Sequence, residues 1–124
     1  MSDILYKEKS YQIIGACMKI HSALGSGYKE VIYQDALEVE LLNRKIPFEK
    51  EKRYNVIYEG VKLKHHFIAD FIIHENIIIE LKATNEIINP FIAQTINYLK
   101  ASGLKLGMII NFGLPSLDYK RIVF

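Results

Sequence analysis

Two carboxylates interrupt stretches of chain that are otherwise apolar. Asp70 lies in Phe67-Ile68-Ala69-Asp70-Phe71-Ile72-Ile73, and Glu80 lies in Ile77-Ile78-Ile79-Glu80-Leu81-Lys82. Both stretches read as strands, and a carboxylate inside such a strand is costly unless something pairs with it. A three-residue loop over His74-Glu75-Asn76 sets Ile73 against Ile77. Counting back along both strands then puts Asp70 directly opposite Glu80. Opposed residues share a face, with Cβ atoms roughly 4.5–5.5 Å apart. Lys82, two residues past Glu80, points the same way. A register slip of one residue would destroy the arrangement.

Two carboxylates that close repel each other, so one takes a proton or a cation sits between them. Oxygen donors without a cysteine or histidine cluster favour Mg²⁺ or Mn²⁺ over zinc. Lys82 beside such a cation can hold an attacking water or neutralise charge developing on a phosphate. That set suits metal-assisted hydrolysis of phosphodiesters, with DNA or RNA as the substrate. The same three side chains also read as a structural ion pair across a hairpin.

The elements that must position these residues follow from periodicity. Lys7 to Leu24 reads as a helix with Ile13, Cys17, Ile20 and Leu24 on one stripe. Gly25-Ser26-Gly27 breaks it, and a second helix runs from about Lys29 to Arg44, with Ile32, Ala36, Val39 and Leu42 or Leu41 on its apolar side. Alternation over Tyr54, Val56 and Tyr58 marks a strand, and Glu59-Gly60 fits a tight turn. Val61 to Ile73 and Ile77 to Ala83 follow as strands, the latter apolar on both faces and therefore central. Asn76 is the expected positive-φ residue of the loop between them. Asn89-Pro90 opens a helix that ends near Gly103, with Pro90 at the first helical position. Leu106 to Phe112 is a buried strand and Tyr119 to Phe124 an edge strand. The fold class is α/β, a central mixed β-sheet flanked by helices. The passage from Ile77 to Phe112 should be a parallel crossover.

Bulk composition narrows the rest. A chain of 124 residues, half of them hydrophobic, is expected to form one domain over 1–124. A formal charge of +2 is too small to argue for nucleic acid by itself. Basic residues cluster locally instead, at Lys50, Lys52, Arg53, Lys62 and Lys64 on the first hairpin and at Lys100, Lys105, Lys120 and Arg121 later. They suit a phosphate backbone or an edge strand guarded against aggregation. The lone Cys17 excludes a disulfide within the chain and favours a reducing, cytoplasmic setting. The first residues lack signal-peptide features, and no apolar run approaches a membrane span, so no membrane partner is expected.

Gly27-Tyr28-Lys29-Glu30-Val31-Ile32-Tyr33 carries the pattern of the GxxExxY family, small proteins of the PD-(D/E)xK nuclease superfamily. The resemblance extends from Ile20-His21-Ser22-Ala23-Leu24-Gly25-Ser26-Gly27 through Ala69-Asp70, Ile79-Glu80-Leu81-Lys82-Ala83 and Gln94-Thr95-Ile96-Asn97-Tyr98-Leu99 to Gly107-Met108-Ile109-Ile110-Asn111-Phe112-Gly113. It implies a restriction-endonuclease-like core, with Asp70 and Glu80 as metal ligands and Lys82 as the catalytic lysine. In the branch similar to lambda exonuclease, an early-helix glutamate joins the metal site, and Glu30 matches it. The Q-x₃-Y motif of that branch is matched by Gln94 and Tyr98. Ala69 departs from the pattern, replacing the superfamily's proline.

Residue geometry supports part of this. A carboxylate in the first helical turn, such as Glu30, is favoured by the helix dipole with or without a metal. Tyr33, three residues on, shares its side and suits substrate contact or a structural hydroxyl bond. Gln94 and Tyr98 lie together on their helix, away from the Ile92, Ile96 and Leu99 stripe. His21 reads as a partly buried structural histidine, and His65 and His66 are not counted as ligands. The leading expectation is a Mg²⁺- or Mn²⁺-dependent nuclease using Asp70, Glu80 and Glu30 on the metal, with a backbone carbonyl near Leu81 assisting. Lys82 acts on the water, and Gln94, Tyr98 and Tyr33 position substrate. The alternatives are a catalytically silent nucleic-acid-binding module and a protein-interaction subunit, for which a homodimer through an edge strand or helix face is open.

Overall fold

The computed structural model describes residues 4–124. Helices α1 (Lys7–Leu24) and α2 (Glu30–Asn43) precede strands β1 (Phe48–Tyr58), β2 (Val61–Ile73) and β3 (Ile77–Lys82). Helix α3 (Asn89–Ser102) then leads to β4 (Leu106–Asn111) and β5 (Asp118–Val123). The strands form one sheet in sequence order, with β3 at its centre. β3 and β4 are parallel and every other neighbouring pair is antiparallel. This is the mixed α/β sheet expected from the periodicity. Among the described residues no helix is long and apolar enough to cross a membrane.

Two apolar layers cover the sheet. One packs α1 and α2 residues Ile13, Cys17, Tyr33, Leu37 and Leu41 against Phe71, Ile73, Ile77, Ile79 and Leu81. The other packs Tyr98 and Leu99 of α3 against Ala69, Ile72, Ile78 and Ile109. α3 ends as expected, with Gly103 at φ 76° and its N–H donating to Leu99 O. Its start is one residue earlier than the sequence suggests: Asn89 is already helical, so Pro90 is at the second position.

On α3 the buried residues are Thr95, Tyr98 and Leu99, with Ile92 and Ile96 only partly buried, so Tyr98 joins the layer from which the periodic reading set it apart. Three further details differ from that reading. On α2 the buried face is Tyr33, Leu37, Glu40 and Leu41, while Ile32, Val39 and Leu42 are exposed. The helix carries two apolar stripes a residue apart, and packing against the sheet selects the one containing Tyr33. In the β2–β3 loop, His74 and Glu75 take positive φ, and Asn76 does not. The third detail concerns the site. Phe48 and Phe71 pack under α1 and α2, but Tyr54, Phe67 and Ala69 pack under α3. Strict alternation would keep Phe67, Ala69 and Phe71 on one face. Both strands therefore turn over at the level of Glu51 and Asp70, where Glu51 adopts φ 54°. Asp70 sits at the twist, within reach of both layers.

Candidate active site

The β2–β3 register is Ile73 to Ile77, Ile72 to Ile78 and Phe71 to Ile79. Continuing it sets Asp70 opposite Glu80, as the loop length requires. The ladder does not close there. Instead the Asp70 N–H donates to Glu80 Oε2 at 2.7 Å, and the Leu81 N–H donates to Asp70 Oδ2 at 2.9 Å. Each carboxylate thus accepts a strand N–H through one of its oxygens.

Glu80 shares the sheet face of Ile78 and is 3% exposed, while Asp70 is half-buried. Burial, and then the charge of Asp70, pushes the Glu80 carboxyl up to about 8. Burial also raises Asp70, against the Leu81 N–H, Lys82 and Gln34, which all favour its charged form. Glu30 is raised too, by burial and then by Asp70, with Lys82 opposing. Asp70 thus acts on both Glu80 and Glu30, and Glu30 acts on Glu80, which links the three carboxylates electrostatically.

Glu30 reaches that group because Gly27, at φ 110°, lets the chain turn from α1 into α2. Glu30 is the first residue of α2, and its Oε1 accepts from Gln34 Nε2 at 3.4 Å. Tyr33 is not brought into the group. It is fully buried and stacks on Phe112 at 4.5 Å. Its hydroxyl donates to Gly25 O at 2.6 Å and accepts from the Tyr28 N–H. Of the two roles open to it, the structural hydroxyl bond is the one present: Tyr33 pins the turn that delivers Glu30.

No ion pair joins Lys82 to Asp70 or Glu80 among the described residues; its Nζ lies 4.3 Å from the centre of the Phe91 ring. The arrangement is therefore not a closed salt bridge across the hairpin. A lysine over an aromatic face is held by a weak cation–π attraction, so it is positioned beside the carboxylates without being consumed by them. On α3, the Tyr98 hydroxyl lies beside Glu80 and Gln94, and burial first, then the Glu80 and Asp70 carboxylates, raises its pKa. Tyr98 also meets Phe67 edge-on at 5.5 Å. At the end of β4, buried Asn111 accepts from the N–H groups of Thr84 and Gly113 and donates to Thr84 O. It fixes the chain leaving Lys82. A Cβ at Gly113 would fall 2.1 Å from Thr84 O, so only glycine fits that approach.

The sequence reading did not find Gln34, Phe91, Glu51 or Asn111. Gln34 had a usable signal, four residues after Glu30 on one helix. Phe91 and Asn111 had none, because their roles depend on how α3 and β4 dock. His21 is structural, its Nε2 2.8 Å from Leu114 O. Buried Cys17 has its thiol pushed up to about 12 by burial, which keeps it unreactive.

Hard oxygen donors raised above their usual carboxylate range, chiefly by burial, fit a divalent cation by chemistry. Their geometry is open: among the described residues no three His, Cys, Asp or Glu side chains are grouped so as to hold a metal ion. Mg²⁺ commonly uses one or two carboxylates and keeps several waters, so Asp70 and Glu80 suffice as a minimum set.

A family model of the PD-(D/E)XK nuclease superfamily matches residues 7–122. The chain belongs to that superfamily. PD-(D/E)XK nucleases generally use divalent metals. The crystal structure of SSO0001 superposes with a TM-score of 0.59 at 20% identity, covering 95% of this chain and 57% of that one. An alkaline exonuclease, LHK-Exo from Laribacter hongkongensis, superposes with a TM-score of 0.54 at 12% identity, covering 99% of this chain and 72% of the other. This PD-(D/E)XK chain thus spans little more than half the length of SSO0001. At such identities the likeness is one of fold. None of the curated proteins compared with the chain matches it.

Proposed function

We propose that this PD-(D/E)XK chain is a divalent-metal-dependent nuclease that hydrolyses phosphodiester bonds in DNA or RNA. The observation that carries the reading is the opposition of Asp70 and Glu80, both held above the usual carboxylate range, with Lys82 on the same strand and free of an ion pair among the described residues. Asp70 and Glu80, with Glu30 as a third donor, are the residues that would hold Mg²⁺ or Mn²⁺. The cation supplies Lewis acidity toward a phosphoryl oxygen. The Lys82 ammonium holds the attacking water or offsets charge on the phosphate. Tyr98 and Gln94 orient Lys82 or the substrate from α3. The Gly27–Tyr33 segment supports placing the chain in the GxxExxY branch, since its glycine, glutamate and tyrosine each have a distinct task in presenting Glu30.

Charge on the β1–β2 hairpin supports a nucleic-acid substrate. Lys50 is engaged by Asp35 and Glu38, and Lys52 by Glu49. Arg53, Lys62 and Lys64 have no such partners among the described residues. Arg53 opposes Ile68 and Asn55 opposes His66; the register then shifts before Ile57 meets Lys62. Arg53, Lys62 and Lys64 are all exposed on this hairpin, a local basic charge suited to a phosphate backbone.

One observation favours a second reading, a nucleic-acid-binding module without catalysis: the carboxylates do not close into a three-ligand group. Incubation of wild type and Lys82→Ala with DNA and RNA substrates and Mg²⁺ or Mn²⁺ separates the two. The nuclease reading predicts metal-dependent cleavage that Lys82→Ala loses. Equal activity in the two proteins contradicts it, and binding without cleavage under either metal favours the silent module.

A further inference from the structure

We propose that the protein carries a second, separate site, a pocket for a phosphate group between the start of α1 and β5. A cleft of about 140 Å³ there is lined by Lys7, Ser10, Tyr11, Tyr119 and Arg121 over an apolar wall that includes Ile14. Tyr119 and Arg121 pair with Ile110 and Met108, which belong to the layer under α1 and α2. Glu80 points to the other face of the sheet, two strands away, so the cleft is not part of the carboxylate group.

Two donors in this cleft have no partner among the described residues. Ser10 is 4% exposed, and its Oγ meets no hydrogen-bonding group of those residues. The same holds for the buried Arg121 Nε, although its guanidinium donates through Nη2 to Leu5 O. Buried polar atoms in folded proteins are nearly always satisfied, and an exception asks for a missing ligand or water. Among the described residues the lining carries two cations and three hydroxyls and no carboxylate. α1 begins here with Tyr6 at the N-cap and, among the described residues, no side-chain cap, although Glu8 in its first turn offsets part of the dipole's positive end. Helix starts with free N–H groups favour anions, and a guanidinium matches the tetrahedral oxygens of phosphate. A cleft of about 140 Å³ has room for a phosphate group.

The proposal stands apart from the nuclease reading and is tested without it. Inorganic phosphate is titrated into the full chain in EDTA at fixed ionic strength, with chloride as control, and read by calorimetry and by the thermal midpoint. One saturable site is expected. Arg121→Gln should weaken it at least tenfold and Ser10→Ala several-fold, while Glu80→Gln binds as wild type. A 5′-phosphorylated dinucleotide that competes, where its 5′-hydroxyl counterpart does not, marks a site for phosphate esters; failure of both marks one for the free ion. Should Arg121→Gln not fold, Lys7→Gln combined with Ser10→Ala carries the comparison. No saturable response in wild type, or full binding by these variants, overturns the proposal.

Discussion

Glu40 on α2 and Glu80 on β3 are both buried glutamates, at 7% and 3% exposure, and their surroundings treat them in opposite ways. Glu40 accepts from Arg44 Nε at 2.7 Å and pairs with Lys19 at 3.3 Å. Those partners, the Arg44 bond first, hold its carboxyl below the usual range. Glu80 has a backbone N–H and a second carboxylate, while the nearest lysine rests on Phe91. Its carboxyl is pushed up to about 8. Burial alone therefore does not mark a working carboxylate. What distinguishes Glu80 is that the fold buries it and then withholds the cation that would stabilise it.

The largest expected effect is on chemistry. Glu80→Gln and Lys82→Ala should each lower metal-dependent cleavage by on the order of 10²–10³-fold, with the thermal midpoint unchanged or raised. Steady-state cleavage assays beside thermal melts check this, and a collapse of stability in either variant would move Glu80 into the same class as Glu40. Arg44→Ala should do the reverse. It leaves Glu40 short of its principal hydrogen bond and costs about 1–3 kcal/mol of stability, with cleavage per folded molecule unchanged.

The two glutamates also predict opposite pH slopes. Glu80 binds its proton more tightly in the folded state, so its contribution is complete below about 4.5 and is lost as pH rises toward about 8. Glu40 is held low, so its contribution is present above the ordinary glutamate range and is lost as pH falls through its folded value. Denaturant titrations of metal-free protein across this window should show stability falling with pH in wild type. The fall should flatten in Glu80→Gln, and an unchanged slope in that variant would remove Glu80 from the account.

Smaller effects are expected away from the pair. Replacing Arg53, Lys62 and Lys64 with alanine should weaken oligonucleotide binding similarly across sequences. The salt slope should fall by about 1 for each of these side chains that neutralises a phosphate. Tyr33→Phe removes the bond to Gly25 O and should cost about 1 kcal/mol, detectable by urea titration, with a modest loss of activity through Glu30.

Much of this was legible in the chain itself. The three-residue loop at His74–Asn76 fixes the register, and the register fixes which carboxylates meet. Apolar runs place β3 at the centre of the sheet. Periodicity failed on α2, where two stripes compete and only docking decides that Tyr33 faces inward and Ile32 outward. It failed again at Asp70, because alternation cannot foresee that β1 and β2 turn over together. Ser10 and Arg121 carried no mark of their cleft, since they lie on elements that meet only in the folded sheet. Nor could spacing separate an ion pair from a poised lysine, a distinction that rests on where Phe91 places its ring.

The central claim is that Asp70 and Glu80 together await a divalent cation. Mn²⁺ titration calorimetry on wild type and Asp70→Asn tests it most directly. The account predicts saturable Mn²⁺ binding by wild type, with protons released as Glu80 ionises, and no such binding by Asp70→Asn. Equal binding by the two proteins, or none by wild type, would contradict it.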